Sequence, residues 1–186
     1  MEQEAVTLRK ADIGKDRDFL LELKCEIGYA GASDEIKAAG YSKYKKSWHG
    51  AIVHDDVTRV DAEIIQLENL LQDDNAVVYI ASKGGEDIGF VSGYVFMEQR
   101  SKWGHLEEIC LMEKYRNQGL ATEIIGKLLV EVHDLGVEIF RFQVSAHNEP
   151  AIKFLKKFGG YPVKTLYEVP LKKVFSYFKK EKELNA

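Results

Sequence analysis

The sequence has little cysteine and proline, no long apolar run and no excess of positive charge. Its two cysteines, Cys25 and Cys110, lie far apart in a chain of 186 residues. Two distant cysteines are too few for a disulfide framework or a zinc site, so we expect buried, reduced thiols in a cytoplasmic protein. The sequence has no run of about 18 apolar residues, and no basic start followed by an apolar segment. We therefore expect neither a membrane span nor a secretory signal.

The charge balance and the missing motifs exclude several classes of function. Lysine and arginine number 26 against 30 aspartates and glutamates, which gives a formal net charge of −4. A nucleic-acid-binding domain is normally basic, so we expect no nucleic-acid partner. The sequence lacks the glycine-rich loops that bind nucleoside triphosphates or dinucleotides. Its 5 histidines show no metal-ligand spacing, so we also expect no metal.

The apolar content and the length predict one globular domain over residues 1–186. Hydrophobic residues make up 45% of the chain and prolines number only 3. Single domains usually contain about 100–200 residues, and a chain of this size buries enough surface to fold without a disulfide or a structural metal.

The first third of the chain is predicted to contain one strand and several helices. Val6–Lys10 alternates like a strand, and Asp16 or Asp18 is expected to cap the helix that follows. Residues 28–54 have poor periodicity and predict short helices and loops, in a region that either binds an acceptor or is variable. Apolar residues spaced by three and four predict an amphipathic helix over Asp56–Leu71.

The middle of the chain predicts three consecutive strands. Ala76–Ser82 and Asp87–Glu98 are rich in β-formers, and the glycines of Lys83–Glu86 suit the tight turn of a hairpin. A turn around Arg100–Trp103 is expected before a third strand, Gly104–Met112.

The last third alternates between helices and strands. We predict helices over Gly119–Leu135 and Pro150–Phe158, with the strand Glu138–Val144 between them. A last strand over Tyr161–Val169 and a terminal helix over Leu171–Lys182 are also expected. In the helix Gly119–Leu135, a buried apolar stripe is predicted at Leu120, Ile124, Leu128, Val132 and Leu135. Together these elements predict an α+β fold with a central mixed sheet.

The segment Leu106–Thr122 has the pattern of an anion site. A strand ends near Met112, a short basic loop follows, and a helix begins close to Gly119. Free main-chain N–H groups and the positive end of a helix dipole then point at one place, which suits a pyrophosphate.

Two motifs in this half of the chain resemble those of one enzyme superfamily. Arg116-Asn117-Gln118-Gly119-Leu120-Ala121 resembles the signature of the GNAT superfamily of acyl-CoA-dependent N-acyltransferases. The segment Asn148–Gly159 is similar to a second motif of that family, because Asn148, Ala151 and Gly159 match it. Leu155 stands where the family often carries a tyrosine that is proposed as general acid.

The resemblance, clearest over residues 104–160, implies an α/β/α layered fold. Its sheet is mostly antiparallel, flanked by helices, and two parallel strands splay apart to form the cofactor site. Those strands correspond to Gly104–Met112 and Glu138–Val144. The resemblance implies that Leu111 and Met112 bind the pantetheine arm and that Asn148 contacts either that arm or the sulfur end. The main-chain N–H groups of Asn117, Gln118, Gly119, Leu120, Ala121 and Thr122 would receive the pyrophosphate, and Arg116 is a further cofactor-binding residue. For Arg116, a solvated surface position is the alternative interpretation.

The implied reaction is transfer of an acetyl group from acetyl-CoA to a primary amine by direct attack in a ternary complex. An ammonium group must lose a proton before it attacks, and a carboxylate or imidazole can accept that proton. His105 and Glu107 are two residues apart and share a face of a strand. Because the family places bases at these positions, Glu107 is the first candidate and His105 the second. Glu108 points to the other face unless a bulge intervenes. The alternative role is ordinary solvation of the sheet for Glu107 and a structural role for His105.

The acceptor and the assembly are left open by the sequence. A small-molecule or peptide amine is expected, with a homodimer as an open alternative to a monomer. The rival function is a non-catalytic module that senses acyl-CoA or binds another chain, and Leu155 in place of tyrosine favours it.

Overall fold

The computed structural model describes residues 4–54, 56–98, 101–145 and 147–163. The chain divides into two compact units, Met1–Gln143 and Val144–Ala186. The single domain expected over residues 1–186 stays a prediction. The predicted strand Tyr161–Val169 lies largely outside the described residues, and the predicted helix Leu171–Lys182 lies entirely outside them. The residues of that strand that are described, 161–163, have no regular secondary structure.

The first unit contains a five-stranded sheet in the order β1-β4-β5-β6-β7 and a separate two-stranded sheet, β2-β3. Its strands are β1 (Thr7–Lys10), β2 (Ile52–His54), β3 (Val57–Thr58), β4 (Ala76–Lys83), β5 (Glu86–Glu98), β6 (Ser101–Leu111) and β7 (Val137–Phe142). Its helices are α1 (Ile13–Ala30), α2 (Asp34–Ala38), α3 (Tyr41–Gly50), α4 (Arg59–Gln72) and α5 (Leu120–Asp134), with a 3₁₀ turn at Glu113–Tyr115. Neighbouring strands of the large sheet are antiparallel, except that β6 and β7 are parallel. The described part of the second unit contains α6 (Glu149–Lys157).

Helices cover both faces of the large sheet, which confirms the layered α/β/α architecture. On one face, Leu120, Ile124, Leu128 and Val132 of α5 pack against the sheet. On the other face, α1, α3 and α4 form a second core with residues of β4, β5 and β6. The predicted stripe of α5 is therefore confirmed except at Leu135, which follows the last helical residue and is 45% exposed.

The β4–β5 hairpin has the turn that its glycines predict. Gly84 and Gly85 have φ angles of 60° and 79°, a conformation that L side chains rarely adopt. Several other predicted boundaries shift. Strand β7 covers Val137–Phe142 rather than Glu138–Val144, and α6 covers Glu149–Lys157 rather than Pro150–Phe158. Strand β6 begins at Ser101 rather than Gly104, and α4 begins at Arg59 because Val57 and Thr58 pair with β2 instead.

The start of α1 differs from the prediction at its cap. Asp12, not Asp16 or Asp18, is the N-cap, and its side chain accepts a hydrogen bond from the N–H of Gly14 at 2.9 Å. Asp16 is buried and accepts two hydrogen bonds of 2.8 Å from the guanidinium of Arg9 in β1. It also accepts one from the N–H of Asp12. Asp16 thus joins the first helix to the first strand.

No helix among the described residues is both long and apolar enough to cross a bilayer.

The Arg9–Asp16 pair predicts a stability that depends on pH. The hydrogen bond from Arg9 lowers the pKa of Asp16 below its ordinary value of 3.8, although burial acts in the opposite direction. The contribution of the ionised Asp16 to the free energy of unfolding is therefore complete at pH values above 3.8. It is lost as the pH falls through the lower pKa that Asp16 has in the folded state. We expect Asp16→Asn to cost about 2 kcal/mol at pH 7 in denaturant unfolding. The cost should shrink as the pH falls below about 4.

Asp18→Asn is the matched control, because the Asp18 side chain is 91% exposed on the same helix. It should leave the free energy of unfolding within about 0.5 kcal/mol of the wild type. Equal effects of the two substitutions would contradict a structural role for Asp16.

Candidate functional site

The parallel strands β6 and β7 stop pairing before β6 ends. Their last paired residues are Leu106 and Phe142, whereas β6 continues to Leu111. On the β7 side, the part of β6 beyond Leu106 has no strand partner among the described residues. Phe142 is also the last residue of β7, so this edge of β6 is left open where the strands separate.

The main-chain groups of Leu111 and Met112 face different directions. The Met112 N–H donates to the carbonyl of Ile88 in β5 at 3.0 Å. Main-chain groups alternate in direction along an antiparallel strand, so those of Leu111 face the open edge. The Leu111 carbonyl accepts a hydrogen bond from the Arg116 Nε at 2.8 Å. For pairing with an extended ligand, the open edge therefore offers Leu111 rather than the Met112 N–H.

The loop after β6 is fastened to α1 by one carboxylate. Glu26 accepts a hydrogen bond from the N–H of Glu113 at 3.1 Å, and the Nη2 of Arg116 lies 3.8 Å from the same carboxylate. Arg116 therefore braces the loop through its contacts with Glu26 and Leu111. Its predicted contact with a cofactor stays a prediction.

The N-terminus of α5 is open and has no side-chain cap. Gly119, the N-cap residue, has a φ of 79°, and a Cβ added there would meet nothing within 4 Å. Asn117 also has a positive φ, 61°. The predicted binding residues Asn117, Gln118, Gly119, Ala121 and Thr122 are exposed, whereas the Leu120 side chain is buried and leaves only its main chain for a ligand. The Thr122 N–H already donates to the Gly119 carbonyl at 3.0 Å.

A β-bulge lies at the predicted catalytic position. Ser92 of β5 is opposite Glu108, but the next residue, Gly93, is opposite Leu106, so Glu107 has no partner in the register. A bulge turns two successive side chains toward one side of the strand. Glu108 contacts Lys24 of α1. We infer that Glu107 and Glu108 both face the α1 side of the sheet.

His105 and Glu107 lie side by side, as their spacing predicts. The Nδ1 of His105 is 3.8 Å from the Oε2 of Glu107, and the Glu107 side chain is 53% exposed. Tyr94 of β5 is opposite His105. Burial and the negative charge of Glu107 raise the pKa of Tyr94, so its hydroxyl stays protonated at neutral pH.

The neighbouring Glu108 is held by an ion pair that the sequence did not reveal. Its carboxylate bonds the Nζ of Lys24 and accepts a hydrogen bond from the Sγ of Cys110 at 3.1 Å. Burial is the strongest single influence on Lys24 and opposes its charge, but the hydrogen bond with Glu108 and the nearby negative charges together outweigh it, so the pKa of Lys24 is raised. Burial, reinforced by Glu108, raises the pKa of Cys110. Cys110 is therefore an inert thiol at neutral pH.

Asn148 belongs to the second unit and caps α6. Its side-chain oxygen accepts a hydrogen bond from the Ala151 N–H at 3.2 Å. Its predicted contact with a pantetheine arm stays a prediction. Leu155 lies on the same helix.

The first unit thus combines three features around the end of β6. They are an open strand edge, a helix N-terminus that has no side-chain cap, and an exposed carboxylate beside an imidazole. The first two suit an extended ligand that ends in an anion, and the third suits proton transfer. Among the described residues, no group of three or more His, Cys, Asp or Glu side chains is placed to hold a metal ion.

Solved structures with several functions share this fold at low sequence identity. An aminoglycoside acetyltransferase from an uncultured soil metagenomic sample, in complex with sisomicin, is 13% identical with a TM-score of 0.59, over 89% of this chain and 96% of its own. A ribosomal-protein-alanine N-acetyltransferase from Brucella melitensis biovar Abortus 2308 is 18% identical with a TM-score of 0.57, over 89% and 99%. A transcriptional regulator from Bacillus halodurans is 14% identical with a TM-score of 0.60, also over 89% and 99%. Such likeness shows the fold alone.

Sequence comparisons go further. An N-alpha-acetyltransferase of Sulfurisphaera tokodaii is 30% identical in an alignment of 107 residues, which covers 52% of this chain and 63% of the relative. The chain thus spans less than two thirds of the length of that relative. The family model described as acetyltransferase (GNAT) family matches residues 38–160. Because that match covers more than half of the sequence, the chain belongs to the GNAT family of acetyltransferases.

Proposed function

We propose that this chain transfers an acetyl group from acetyl-CoA to a primary amine that attacks directly in a ternary complex. The observation that carries the proposal is the bulged, exposed Glu107, which lies on the same strand as the open edge at Leu111. A base and a ligand-pairing edge on one rigid element would hold amine and donor at a fixed separation. Cysteine cannot serve as a covalent acyl carrier here, since Cys25 and Cys110 are both buried.

The open edge and the uncapped helix fit the donor. Acetyl-CoA supplies the activated acyl group as a thioester. Leu111 would pair with the pantetheine arm, and the main-chain N–H groups of 117–121 would receive the diphosphate. The absence of a Cβ at Gly119 would let the phosphate oxygens approach the main chain closely.

Glu107 suits the role of base better than its neighbour. Glu108 is neutralised by Lys24 and bonded by Cys110, so its carboxylate is already engaged. Glu107 is exposed, and its carboxylate lies beside His105, the second candidate. His105 would orient Glu107 or relay the proton through water.

The proposal extends to the acceptor. The relative from Sulfurisphaera tokodaii is an N-alpha-acetyltransferase, and we propose that the acceptor here is the α-amine of a peptide. The α-amino group has an ordinary pKa of about 7.7–8.0, below the value of about 10.4 for a lysine side chain. At neutral pH, proton transfer from an α-ammonium group to a carboxylate base is therefore easier than from a lysine side chain.

Leu155 in place of tyrosine does not prevent this chemistry. A thiol has an ordinary pKa of about 8.5, so a thiolate leaves readily without a strong acid. The substitution nevertheless supports the second candidate function, a non-catalytic module that binds acyl-CoA.

We expect Glu107→Gln to lower kcat by about 100-fold or more, the usual contribution of a positioned base. The loss should be largest at low pH and should shrink as the pH approaches the pKa of the acceptor amine, because that amine then deprotonates unaided. A pH profile of thiol release from acetyl-CoA measures this. Glu108→Gln is the neighbouring control: it should reduce stability by breaking the Lys24 pair but leave the shape of the profile unchanged. Identical profiles for wild type and Glu107→Gln would contradict the assignment.

The diphosphate site predicts a specific effect at Gly119. Gly119→Ala should weaken the binding of coenzyme A in calorimetry by about tenfold, the loss of roughly one charge-assisted hydrogen bond. It should also cost about 1 kcal/mol of stability because of the positive φ. Gly85→Ala is a matched control, since Gly85 has the same φ of 79° and equally open surroundings in the β4–β5 turn. Gly85→Ala should lower the stability by the same amount but leave the affinity for coenzyme A unchanged. An equal loss of affinity in both variants would refute the site.

Calorimetry also separates the two functions. Binding of coenzyme A without turnover of any peptide or small amine would select the module, whereas saturable amine-dependent turnover would reject it.

A further inference from the structure

Among the described residues of the first unit, helices cover one end of the α1 side of the sheet and leave the other end open. Around Glu108 and Cys110 it lies beneath α1, as the Lys24–Glu108 pair and the core around Cys110 show. Toward the start of β6 the side chains are only half-buried, and Glu107 lies at the boundary. As far as the described residues show, an acceptor that reaches Glu107 along this face comes from the end that α1 does not cover.

The open end carries three aromatic rings and one cation. Tyr94 and Phe96 of β5 stack with ring centroids 5.9 Å apart, and Phe96 is 4.6 Å from Trp103 of β6. The Cζ of Arg141, on β7, lies 4.1 Å from the centroid of the Trp103 ring. We call these four residues the aromatic strip.

The register puts the aromatic strip on the face of His105 and Glu107. Tyr94 is opposite His105, Phe96 is opposite Trp103, and Arg141 is beside His105 in the parallel pair. Directly opposite residues share a face of a sheet. Val95, Leu106 and Phe140, which alternate with them, pack on the other face with α5.

Arg141 gives the strip a charge preference. Its side chain is exposed, and among the described residues it forms no ion pair with a carboxylate. The stack against Trp103 holds the guanidinium toward the outer end of the strip and leaves its edge N–H groups for an anion. Trp103 and Glu107 are four residues apart, about 13 Å along a strand. An extended peptide covers that distance in about four residues.

We propose that the aromatic strip binds the acceptor as an extended peptide. Its N-terminal amine lies at Glu107, and an acidic side chain near the fourth residue pairs with Arg141. This inference rests on the proposed function and adds a sequence preference to it. The flat rings supply sequence-tolerant apolar contact, and Arg141 supplies the selection.

A glutamate scan tests the preference. Hexapeptides with one glutamate at positions two to six in an alanine background, and their glutamine counterparts, are compared as acceptors. We expect kcat/KM to be about threefold to tenfold higher for glutamate than for glutamine near position four, as for a partly exposed ion pair. At position two no gain is expected.

Charge reversal provides the sharper result. Arg141→Gln should abolish the preference, and Arg141→Glu should favour lysine at the same position. Arg17→Gln, an exposed arginine in the first turns of α1, makes the same change of net charge and should keep the preference. A preference that survives Arg141→Gln, or that disappears equally in Arg17→Gln, overturns the inference.

Occupancy can be measured without turnover. The chain has 2 tryptophans, and binding of the acidic peptide should change the emission of Trp103, an effect lost in Trp103→Phe. Emission changes without turnover would support the strip and reject the proposed catalysis. Turnover without a charge preference would support the proposed catalysis and overturn the inference about the strip. A shift of oligomeric state in Arg141→Gln with no change in peptide preference would assign the strip to a second copy of the chain and overturn the inference.

Discussion

The site depends on a constraint that acts on strand β6. The first half of β6 is paired on both sides, and its last residues are paired with β5 alone. The bulge at Glu107 marks the change between these two halves. A strand cannot accept a ligand along an edge that another strand occupies, so the end of pairing with β7 is what makes an edge available. The rigid half of β6 then fixes where the available half lies.

The two adjacent glutamates at the bulge differ in their charged neighbours. Glu108 is in an ion pair with Lys24, which satisfies its charge in a half-buried place. Glu107 keeps an exposed carboxylate, with His105 as its neighbour. Two carboxylates in successive positions would repel each other if both lacked cations, so the lysine of α1 also relieves Glu107 of that repulsion.

The sequence predicts those features that arise from local patterns. The glycines of the β4–β5 turn, the apolar stripe of α5 and the Gly119 helix start all depend on residues close together in the chain, and the structure contains them. The N-cap of α1 was assigned wrongly because Asp12, Asp16 and Asp18 are chemically alike. Only burial against Arg9 distinguishes Asp16.

Features that depend on contacts between distant residues could not be predicted from a single sequence. The bulge at Glu107 requires knowledge of its register with β5. The contacts of Lys24 with Glu108 and of Glu26 with the Glu113 N–H join residues that are more than 80 positions apart. Their signal in the sequence is a pair of charges, Lys24 and Glu26, next to the buried residues Leu23 and Cys25 of α1. The assignments of Glu107 and of the cofactor residues rested on family resemblance, and the geometry refines them most at Met112 and Arg116.

One helix touches both halves of the site. Lys24 of α1 bonds the glutamate beside the candidate base, and Glu26, two residues on, fastens the loop that leads to α5. A rigid displacement of α1 would disturb both contacts together. If Glu107 is the base and the start of α5 binds the donor, as proposed above, a ligand that moves α1 would change donor affinity and proton transfer together.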